Sequence, residues 1–223
     1  MRDKIRTDHR FHRPVPVAMV LMRWQGSLMG WTPGSYAWDP REMAGTTIRP
    51  AAPEDAEAVE RLRIAGWQTA YRGIIPDAYL DSLPVDVSRR RRHLEALPDG
   101  FGNDVAIAGG CVVGWISAGP CRDPDRPGPR YGEVFACYVH PDWWRAGIGR
   151  LLMAHALEVL AEDGRDDVTL WVLEANDRAR RFYARFGFAP DGTRKLLDFG
   201  KLVPELRYRR PAPARPASTQ SAH

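Results

Sequence analysis

The sequence predicts a mixed α/β domain built around one central sheet. Short apolar runs with strand character alternate with longer segments whose apolar residues recur at helical spacing. The elements follow in the order strand, helices, two or three strands, helix, strand, helix and closing strands. Strands and helices interleaved in this way favour a sheet covered by helices.

The composition divides the chain of 223 residues into three parts. Residues 1–44 contain prolines and glycines that interrupt every pattern, so an irregular extension is expected there. Residues 45–210 contain the predicted strands and helices and form the folded domain. Residues 211–223 are rich in proline, alanine and serine and are predicted to be disordered.

Two explanations of the N-terminal extension remain open. Met43 stands just before the first ordered pattern, so the upstream part could be a mis-called start. Alternatively, the extension is a functional arm that docks on the domain through Trp24, Trp31 and Trp38. A secretion signal is not expected, because the apolar run at residues 15–22 is short and lacks a convincing cleavage site.

The charge distribution argues against nucleic-acid binding. The net charge is +4, but residues 45–210 contain 24 basic and 24 acidic residues, so the excess lies at the two ends. A nucleic-acid-binding fold should have a basic domain. No apolar run is long enough to cross a bilayer, so no membrane partner is expected.

The three cysteines, Cys111, Cys121 and Cys137, are dispersed and form no C-x-x-C pair. They predict neither a disulfide framework nor a metal site. This cysteine usage is compatible with a reducing, cytoplasmic location. Cys111 and Cys137 lie in strand patterns and are interpreted as small buried residues.

The segment at residues 134–152 has the pattern strand, turn and helix, and the helix begins at Gly147 and Gly149. A helix N-terminus leaves backbone N–H groups unpaired and carries the positive end of the helix dipole. Glycines let a phosphate approach the backbone closely. This glycine loop is therefore predicted to hold the pyrophosphate of a coenzyme. A dinucleotide-binding oxidoreductase is not expected, because the full G-x-G-x-x-G pattern is absent and the glycines lie late in the chain.

Further motifs follow one another across residues 45–210. They are I-R-P-A-A-P-E-D at 48–55, W-Q-T-A-Y-R-G-I-I-P at 67–76, V-V-G-W at 112–115, G-E-V-F-A-C-Y-V-H-P at 132–141, W-R-A-G-I-G-R-L-L at 144–152, N-D-R-A-R-R-F-Y-A-R-F-G-F at 176–188 and E-L-R-Y at 205–208. This ordered series resembles the GNAT superfamily of acetyl-coenzyme A-dependent N-acetyltransferases. The resemblance covers almost the whole domain and is more specific than the two glycines alone.

The resemblance implies a fold and a donor. The fold is a central, mostly antiparallel twisted sheet of six to seven strands flanked by helices, with a parallel central strand pair splayed around the coenzyme. The implied acyl donor is acetyl-coenzyme A, with no metal. Trp144 stands where the family has Gln or Arg, which leaves open whether Arg145 reaches a phosphate. The implied contacts of the coenzyme are Tyr138, Val139, Arg145, Ala146, Gly147, Ile148, Gly149, Arg150 and Asn176.

The chemistry of acetyl transfer adds two expected catalytic residues. An alkylamine has a pKa of about 10.4 and is protonated near pH 7, so a general base is useful. Glu133, at the start of the central strand, is the candidate, and a salt-bridged structural glutamate is the alternative. Tyr183 occupies the family's tyrosine position and is the candidate general acid, with a core tyrosine as the alternative. The resemblance also implies a strand bulge that frees N–H groups for the oxyanion, and we place it around residues 137–139.

The acceptor side is less defined by the sequence. Trp67 and Tyr71 form a stripe on the first helix and either line the substrate cleft or pack in the core. Asp77, Asp81 and Asp198 could attract a cationic amine, although a solvated surface role is favoured. A homodimer through the closing strands is left open by the resemblance.

The predicted function is transfer of an acetyl group to a primary amine of a small molecule or a peptide or protein, by direct attack in a ternary complex. The alternative is an inactive acyl-coenzyme A-binding sensor or partner protein of the same fold.

Overall fold

The computed structural model describes the backbone of residues 6–7 and all of residues 45–213. The predictions for residues 1–44 and 211–223 therefore fall almost wholly outside the described residues. In particular, the proposed docking of Trp24, Trp31 and Trp38 lies outside them.

Eight strands and five α-helices make up the described fold. The strands are β1 (Arg6–Thr7), β2 (Thr47–Pro50), β3 (Gly102–Ala108), β4 (Cys111–Pro120), β5 (Tyr131–Val139), β6 (Asp167–Leu173), β7 (Ala189–Asp198) and β8 (Leu202–Arg210). The helices are α1 (Ala56–Ala70), α2 (Asp77–Asp81), α3 (Val87–Glu95), α4 (Ile148–Glu162) and α5 (Asp177–Ala184).

The strands form one sheet in the order β1-β7-β8-β6-β5-β4-β3-β2. The pairs β5–β6 and β1–β7 are parallel, and the other neighbours are antiparallel. Seven strands belong to residues 45–210, which confirms the predicted fold class. The two-residue strand β1 adds an eighth strand at one edge.

The parallel pair opens into a gap. β5 and β6 pair from Tyr131 opposite Asp167 to Val134 opposite Leu170, and beyond that point they continue on either side of a cleft. β5 is also bulged, because Ala118 of β4 pairs with Val134 while its neighbour Ser117 pairs with Ala136.

The bulge lies upstream of its predicted place at residues 137–139, so that prediction was wrong in position. Phe135 is the extra residue, and its ring stacks on Phe101 with centroids 5.4 Å apart. The Arg122 guanidinium lies 4.0 Å from the same ring centroid. These contacts involve residues distant in sequence, which is why the local pattern of β5 does not reveal the bulge.

Apolar clusters lie on both faces of the sheet. α4 and α5 cover one face, where Ile148, Leu152 and Met153 are fully buried. Gly114 of β4 permits this close packing, because an added Cβ would lie 2.7 Å from Leu152 Cδ1. Two smaller clusters, around residues of α1 and α2, cover the other face.

Two observations concern membranes and metals. Across residues 45–213, no helix is long and apolar enough to cross a membrane. In the same part of the chain, no three His, Cys, Asp or Glu side chains are grouped so that they could hold a metal ion. The cytoplasmic location and the homodimer stay predictions from the sequence.

Candidate active site

A cleft of about 610 Å³ occupies the gap between the diverging ends of β5 and β6. The glycine loop and the N-terminus of α4 form one end, and α1 contributes to the other. The lining residues are Gly66, Ala70, Tyr71, Cys137, Tyr138, Val139, Trp143, Trp144, Arg145, Gly147, Gly149, Arg150, Trp171, Val172, Asn176, Arg178, Ala179, Arg181, Phe182, Tyr183, Arg185 and Phe186.

The glycine loop has an unusual backbone. Gly147, the N-cap of α4, has a φ of 89°, in the left-handed region where glycine is favoured. Arg145 has a φ of 72°. Among the described residues, it is the one non-glycine residue whose φ is positive. The Leu151 N–H donates to Gly147 O at 3.1 Å, so the first turn of α4 begins at the cleft. The preceding N–H groups of this turn lack helical acceptors and suit an anionic ligand.

Some predicted coenzyme contacts face the cleft and others do not. Tyr138, Val139, Arg145, Gly147, Gly149, Arg150 and Asn176 all line it. Ala146 and Ile148 are buried in the apolar cluster under α4, so they can offer only backbone groups to a ligand.

Trp144, the departure from the family pattern, has a structural role in the loop. Its indole Nε1 donates to Val139 O at 2.8 Å, which joins the loop to the end of β5. The Arg178 guanidinium lies 3.6 Å from the centroid of the Trp144 ring, in cation–π contact. The aromatic residue therefore positions a cation that comes from α5 rather than from the loop itself.

The loop end of the cleft is basic. The pKa of Arg178 is lowered by burial and by the nearby Arg145 charge. Within residues 45–213, no acidic side chain is among those that line the cleft. This charge balance suits a polyanionic ligand. The lining arginines are Arg145, Arg150, Arg178, Arg181 and Arg185.

Asn176 lies where β6 leads into α5. Its Oδ1 accepts from the Ala179 N–H at 3.1 Å and so caps the helix. The cap uses the amide oxygen, which leaves the amide nitrogen as the donor that can face a ligand in the cleft.

Tyr183, the predicted acid, lines the cleft from α5. Burial raises its pKa, and the charges of Cys137, Tyr138 and Glu205 add to this effect. The residue therefore keeps its proton at physiological pH. A thiol has a pKa of about 8.5, so full proton transfer from this phenol to a thiolate is uphill, and a hydrogen bond to sulfur is the easier role.

Cys137 lies on the floor of the cleft. Burial raises the pKa of its thiol to about 12. The thiolate is the nucleophilic form of cysteine, so this side chain is unsuited to carry an acyl group.

The two predicted acceptor-side aromatics differ in position. Tyr71 lines the cleft, whereas Trp67 stands behind it. The Trp67 Nε1 donates to the Tyr138 hydroxyl at 2.7 Å, and its ring meets Tyr71 edge-on at 5.2 Å between centroids. Trp67 therefore orients lining residues and is not among those that line the cleft.

Glu133, the predicted base, is buried and paired with Arg122. Its carboxylate accepts from the Arg122 backbone N–H at 3.0 Å, from Nε at 3.2 Å and from Nη2 at 2.7 Å. It is not among the lining residues. This arrangement matches the salt-bridged structural glutamate that the sequence analysis gave as the alternative. The role of Glu133 as a general base stays a prediction.

Other acidic candidates for attracting an amine are also engaged. Arg72 forms ion pairs with Asp77, at 3.2 Å, and with Asp81. Asp198 Oδ1 accepts from the Gly200 N–H at 2.9 Å. None of the three lines the cleft.

Sequence reasoning missed three residues, which are Trp171 on β6, Lys195 on β7 and Glu205 on β8. Trp171 lines the cleft, and the Lys195 Nζ lies 3.8 Å from the centroid of its ring. The same Nζ is 3.1 Å from Glu205 Oε2. The alternation of residues around E-L-R-Y could have revealed Glu205, because it lies on the same strand face as Val203 and Arg207, which are both buried.

Comparison with known proteins identifies relatives over most of the domain. A model of the acetyltransferase (GNAT) family matches residues 66–188. The uncharacterised N-acetyltransferase YuaI of Bacillus subtilis is 32% identical over 130 residues, covering 58% of this chain and 73% of that protein. A probable N-acetyltransferase of Mycobacterium tuberculosis is 32% identical over 171 residues, covering 73% of this chain and 91% of that protein. A mycothiol acetyltransferase of Frankia casuarinae is 34% identical over 160 residues, covering 67% of this chain and 43% of that protein.

Solved structures share the fold. The ribosomal-protein-alanine N-acetyltransferase of Brucella melitensis superposes with a TM-score of 0.60 at 25% identity, covering 74% of this chain and 99% of that one. The PaiA N-acetyltransferase of Thermoplasma acidophilum, solved with coenzyme A, gives a TM-score of 0.59 at 20% identity, covering 72% and 98%. The motifs, the sheet topology and these relatives agree, and the chain belongs to the acetyltransferase (GNAT) family of N-acetyltransferases.

Proposed function

We propose that the protein transfers the acetyl group of acetyl-coenzyme A to a primary amine by direct attack in a ternary complex. The observation that carries this proposal is the cleft between β5 and β6, which has a basic glycine loop at one end and an aromatic wall at the other. A donor and an acceptor entering from opposite ends would meet at the floor of the cleft.

The donor end fits a coenzyme with phosphates. The N-terminus of α4, with Gly147 and Gly149, offers backbone N–H groups, and the surrounding arginines supply positive charge. Val139 and Asn176 also line the cleft and are the proposed contacts of the pantetheine arm. Coenzyme A is present in the structure of the Thermoplasma relative, which supports this donor.

Direct attack is favoured by the chemistry of the cleft floor. A two-step mechanism needs a nucleophile on the protein. The pKa of Cys137 is raised to about 12, which argues against an acyl-cysteine intermediate. Tyr183 then assists by donating a hydrogen bond to the sulfur as the C–S bond breaks.

The acceptor end is built from Tyr71, Tyr138 and Trp171, with Gly66 and Ala70 leaving space beside them. Such a wall suits an amine with an apolar or flat body. The names of these similar proteins mention different molecules, mycothiol in one case and alanine of a ribosomal protein in another. A primary amine is therefore the acceptor class proposed.

The experiment combines binding and turnover. Acetyl-coenzyme A is titrated by calorimetry, and turnover is followed by mass spectrometry of acetylated products from spermidine, 2-phenylethylamine, glucosamine and a peptide that starts with alanine. We expect binding together with at least one acetylated amine. Binding without any acetylated product would support the inactive coenzyme-binding alternative and contradict the proposal.

A further inference from the structure

Glu205 is a largely buried carboxylate that lies behind the acceptor end of the cleft and, like Glu133, is not among the residues that line it. It lies on β8, opposite Leu173 of β6 and Lys195 of β7. Its side chain is 15% exposed. Leu173 and Val203 belong to an apolar cluster against which Trp67 and Tyr71 pack, so this face of the sheet continues into the acceptor wall.

A single lysine ties Glu205 to the cleft wall. Lys195 Nζ lies 3.1 Å from Glu205 Oε2 and 3.8 Å from the centroid of the Trp171 ring, and Trp171 lines the cleft. An ionised carboxylate can accept about four hydrogen bonds, so the contact with Lys195 leaves capacity for another donor. An acceptor ammonium is a donor of that kind.

The electrostatics connect Glu205 with the centre of the cleft. Burial raises the pKa of three cleft-lining tyrosines, and the Glu205 charge contributes in the same direction. Because its charge acts on residues from α1, β5 and α5, the Glu205 carboxylate lies close to all three elements. The three tyrosines are Tyr71, Tyr138 and Tyr183.

Burial also raises the pKa of Glu205 itself. The Lys195 ammonium opposes this effect, and the carboxylates of Glu133 and Asp123 reinforce it. A carboxyl group with a raised pKa is better matched to proton transfer near neutral pH than an ordinary glutamate.

Glu133 offers a contrast. Arg122 donates three hydrogen bonds to its carboxylate, as described above, and two of these come from the guanidinium. To accept a proton from an amine, Glu133 would first have to give up a charge-assisted pair. Glu205 has one lysine partner, and that lysine contacts Trp171 of the aromatic wall.

We propose that Glu205 is the catalytic base for the acceptor amine and that Lys195 is its positioning residue. This inference rests on the proposed function. The ammonium R–NH₃⁺ gives one proton to the Glu205 carboxylate and becomes R–NH₂. The nitrogen then attacks the thioester carbon, the C–N bond forms and the C–S bond breaks. The second nitrogen proton passes to the departing thiolate, so the products are the amide, free coenzyme A and protonated Glu205, which releases its proton to solvent.

The test is a pH profile of kcat/KM with acetyl-coenzyme A and the amine of the panel that the wild type acetylates fastest. Glu205→Gln keeps the shape of the side chain and removes its basicity, so we expect kcat/KM to fall about 10²- to 10⁴-fold. Glu205→Asp should recover part of the loss. Glu57→Gln on the exposed face of α1 is the matched control, because Glu57 is an exposed glutamate paired with Arg61.

The Lys195→Gln variant tests the pH profile, which would not shift if Lys195 had only a structural role. Lys195 lowers the pKa of Glu205. Removing it should raise that pKa, and the acid limb of the profile should move to higher pH. Lys201→Gln, at an exposed lysine, is the control and should leave the limb in place. Thermal unfolding and acetyl-coenzyme A binding verify that each variant is folded.

The outcomes separate this inference from the proposed function. Loss in Glu205→Gln together with a shifted limb in Lys195→Gln supports the base role. The base role alone is overturned if the folded Glu205→Gln variant turns over as fast as the wild type. It is also overturned if Glu133→Gln loses more activity than Glu205→Gln. Absence of acetylation of every amine by the wild type overturns the proposed function and the base role together.

Discussion

The donor half and the acceptor half of the cleft are built by different means. The donor half is formed by one continuous segment, the glycine loop and α4, with arginines added from α5. The acceptor half is assembled from α1, β5, β6 and the closing hairpin β7–β8, which are far apart in sequence. A local segment can be recognised as a motif, whereas an assembled surface cannot.

The two halves also differ in charge. Arginines surround the donor half, and the groups near the acceptor half are aromatic rings, tyrosine hydroxyls and the Glu205–Lys195 pair. A variant in one half should therefore change the affinity for one substrate and leave the other substrate little affected.

The largest expected effect is on the glycine loop. In Gly147→Glu, a side chain at a φ of 89° would be strained, and its negative charge would face the phosphates. We expect acetyl-coenzyme A affinity to fall more than about 100-fold by calorimetry, consistent with the cost of an unfavourable charge and a blocked site.

Gly192→Glu is the matched control, because Gly192 on β7 has a φ of 88° and open space around it. It shares the backbone strain and lies outside the lining residues. Equal loss of affinity in the two variants would mean that strain alone explains the effect and that the loop does not hold the donor.

The next effect in size is at Tyr183. Tyr183→Phe removes the hydroxyl that is proposed to donate a hydrogen bond to the leaving sulfur, and it keeps the packing of the ring against Phe182 and Phe188. We expect kcat to fall roughly ten- to a hundredfold, because the thiolate is a tolerable leaving group without help. Acetyl-coenzyme A affinity should stay unchanged. An undiminished kcat would rule out a role for the hydroxyl in the chemical step.

A variant of Arg178 tests whether the cation held on the Trp144 ring contributes to binding of the donor. Arg178→Ala removes the cation held on Trp144, and we expect about tenfold weaker acetyl-coenzyme A binding. The difference from wild type should shrink at high salt, because salt screens charge interactions. Arg61→Ala, on the exposed side of α1, is the control. A loss that does not depend on salt would contradict an electrostatic role.

A smaller effect is expected at Trp67, on the acceptor side. Trp67→Phe removes the hydrogen bond to the Tyr138 hydroxyl, which is worth about 1 kcal/mol. We expect the KM of the amine to rise roughly three- to tenfold. Donor affinity, measured on the same sample by calorimetry, should remain at the wild-type value. An equal change in donor affinity would show that the two halves are not separate.

The smallest signal concerns the thiol at the floor of the cleft. Its pKa of about 12 predicts that Cys137 stays unmodified by iodoacetamide at pH 8 under native conditions. Cys111 is exposed, so its predicted burial was wrong; it should be alkylated in the same sample and serves as the internal standard. Peptide mass spectrometry distinguishes the two sites, and rapid labelling of Cys137 would reopen a covalent route.

The donor half was the part that the sequence could predict. Gly147 and Arg145 are neighbours along a strand-loop-helix segment whose local physics indicates a phosphate site, Asn176 belongs to the separate motif at 176–188, and all three residues line the cleft. Ala146 and Ile148 were also singled out there. The motif does not show that their side chains are needed to pack α4 on the sheet.

The acceptor half escaped prediction for physical reasons. The pairing of Glu133 with Arg122 depends on where the loop after β4 returns to β5. The position of Glu205 depends on the register of β8 between β6 and β7, which places Lys195 beside it. The bulge at Phe135 likewise depends on register. Long-range pairing of this kind leaves little local signal in a strand sequence.

The most direct test of the central claim is an initial-rate study in which acetyl-coenzyme A and the best amine are both varied. Direct attack in a ternary complex predicts double-reciprocal lines that intersect, since both substrates must be bound before the acetyl group moves. Parallel lines, the signature of an acyl-enzyme that forms as coenzyme A leaves and then reacts with the amine, would contradict it.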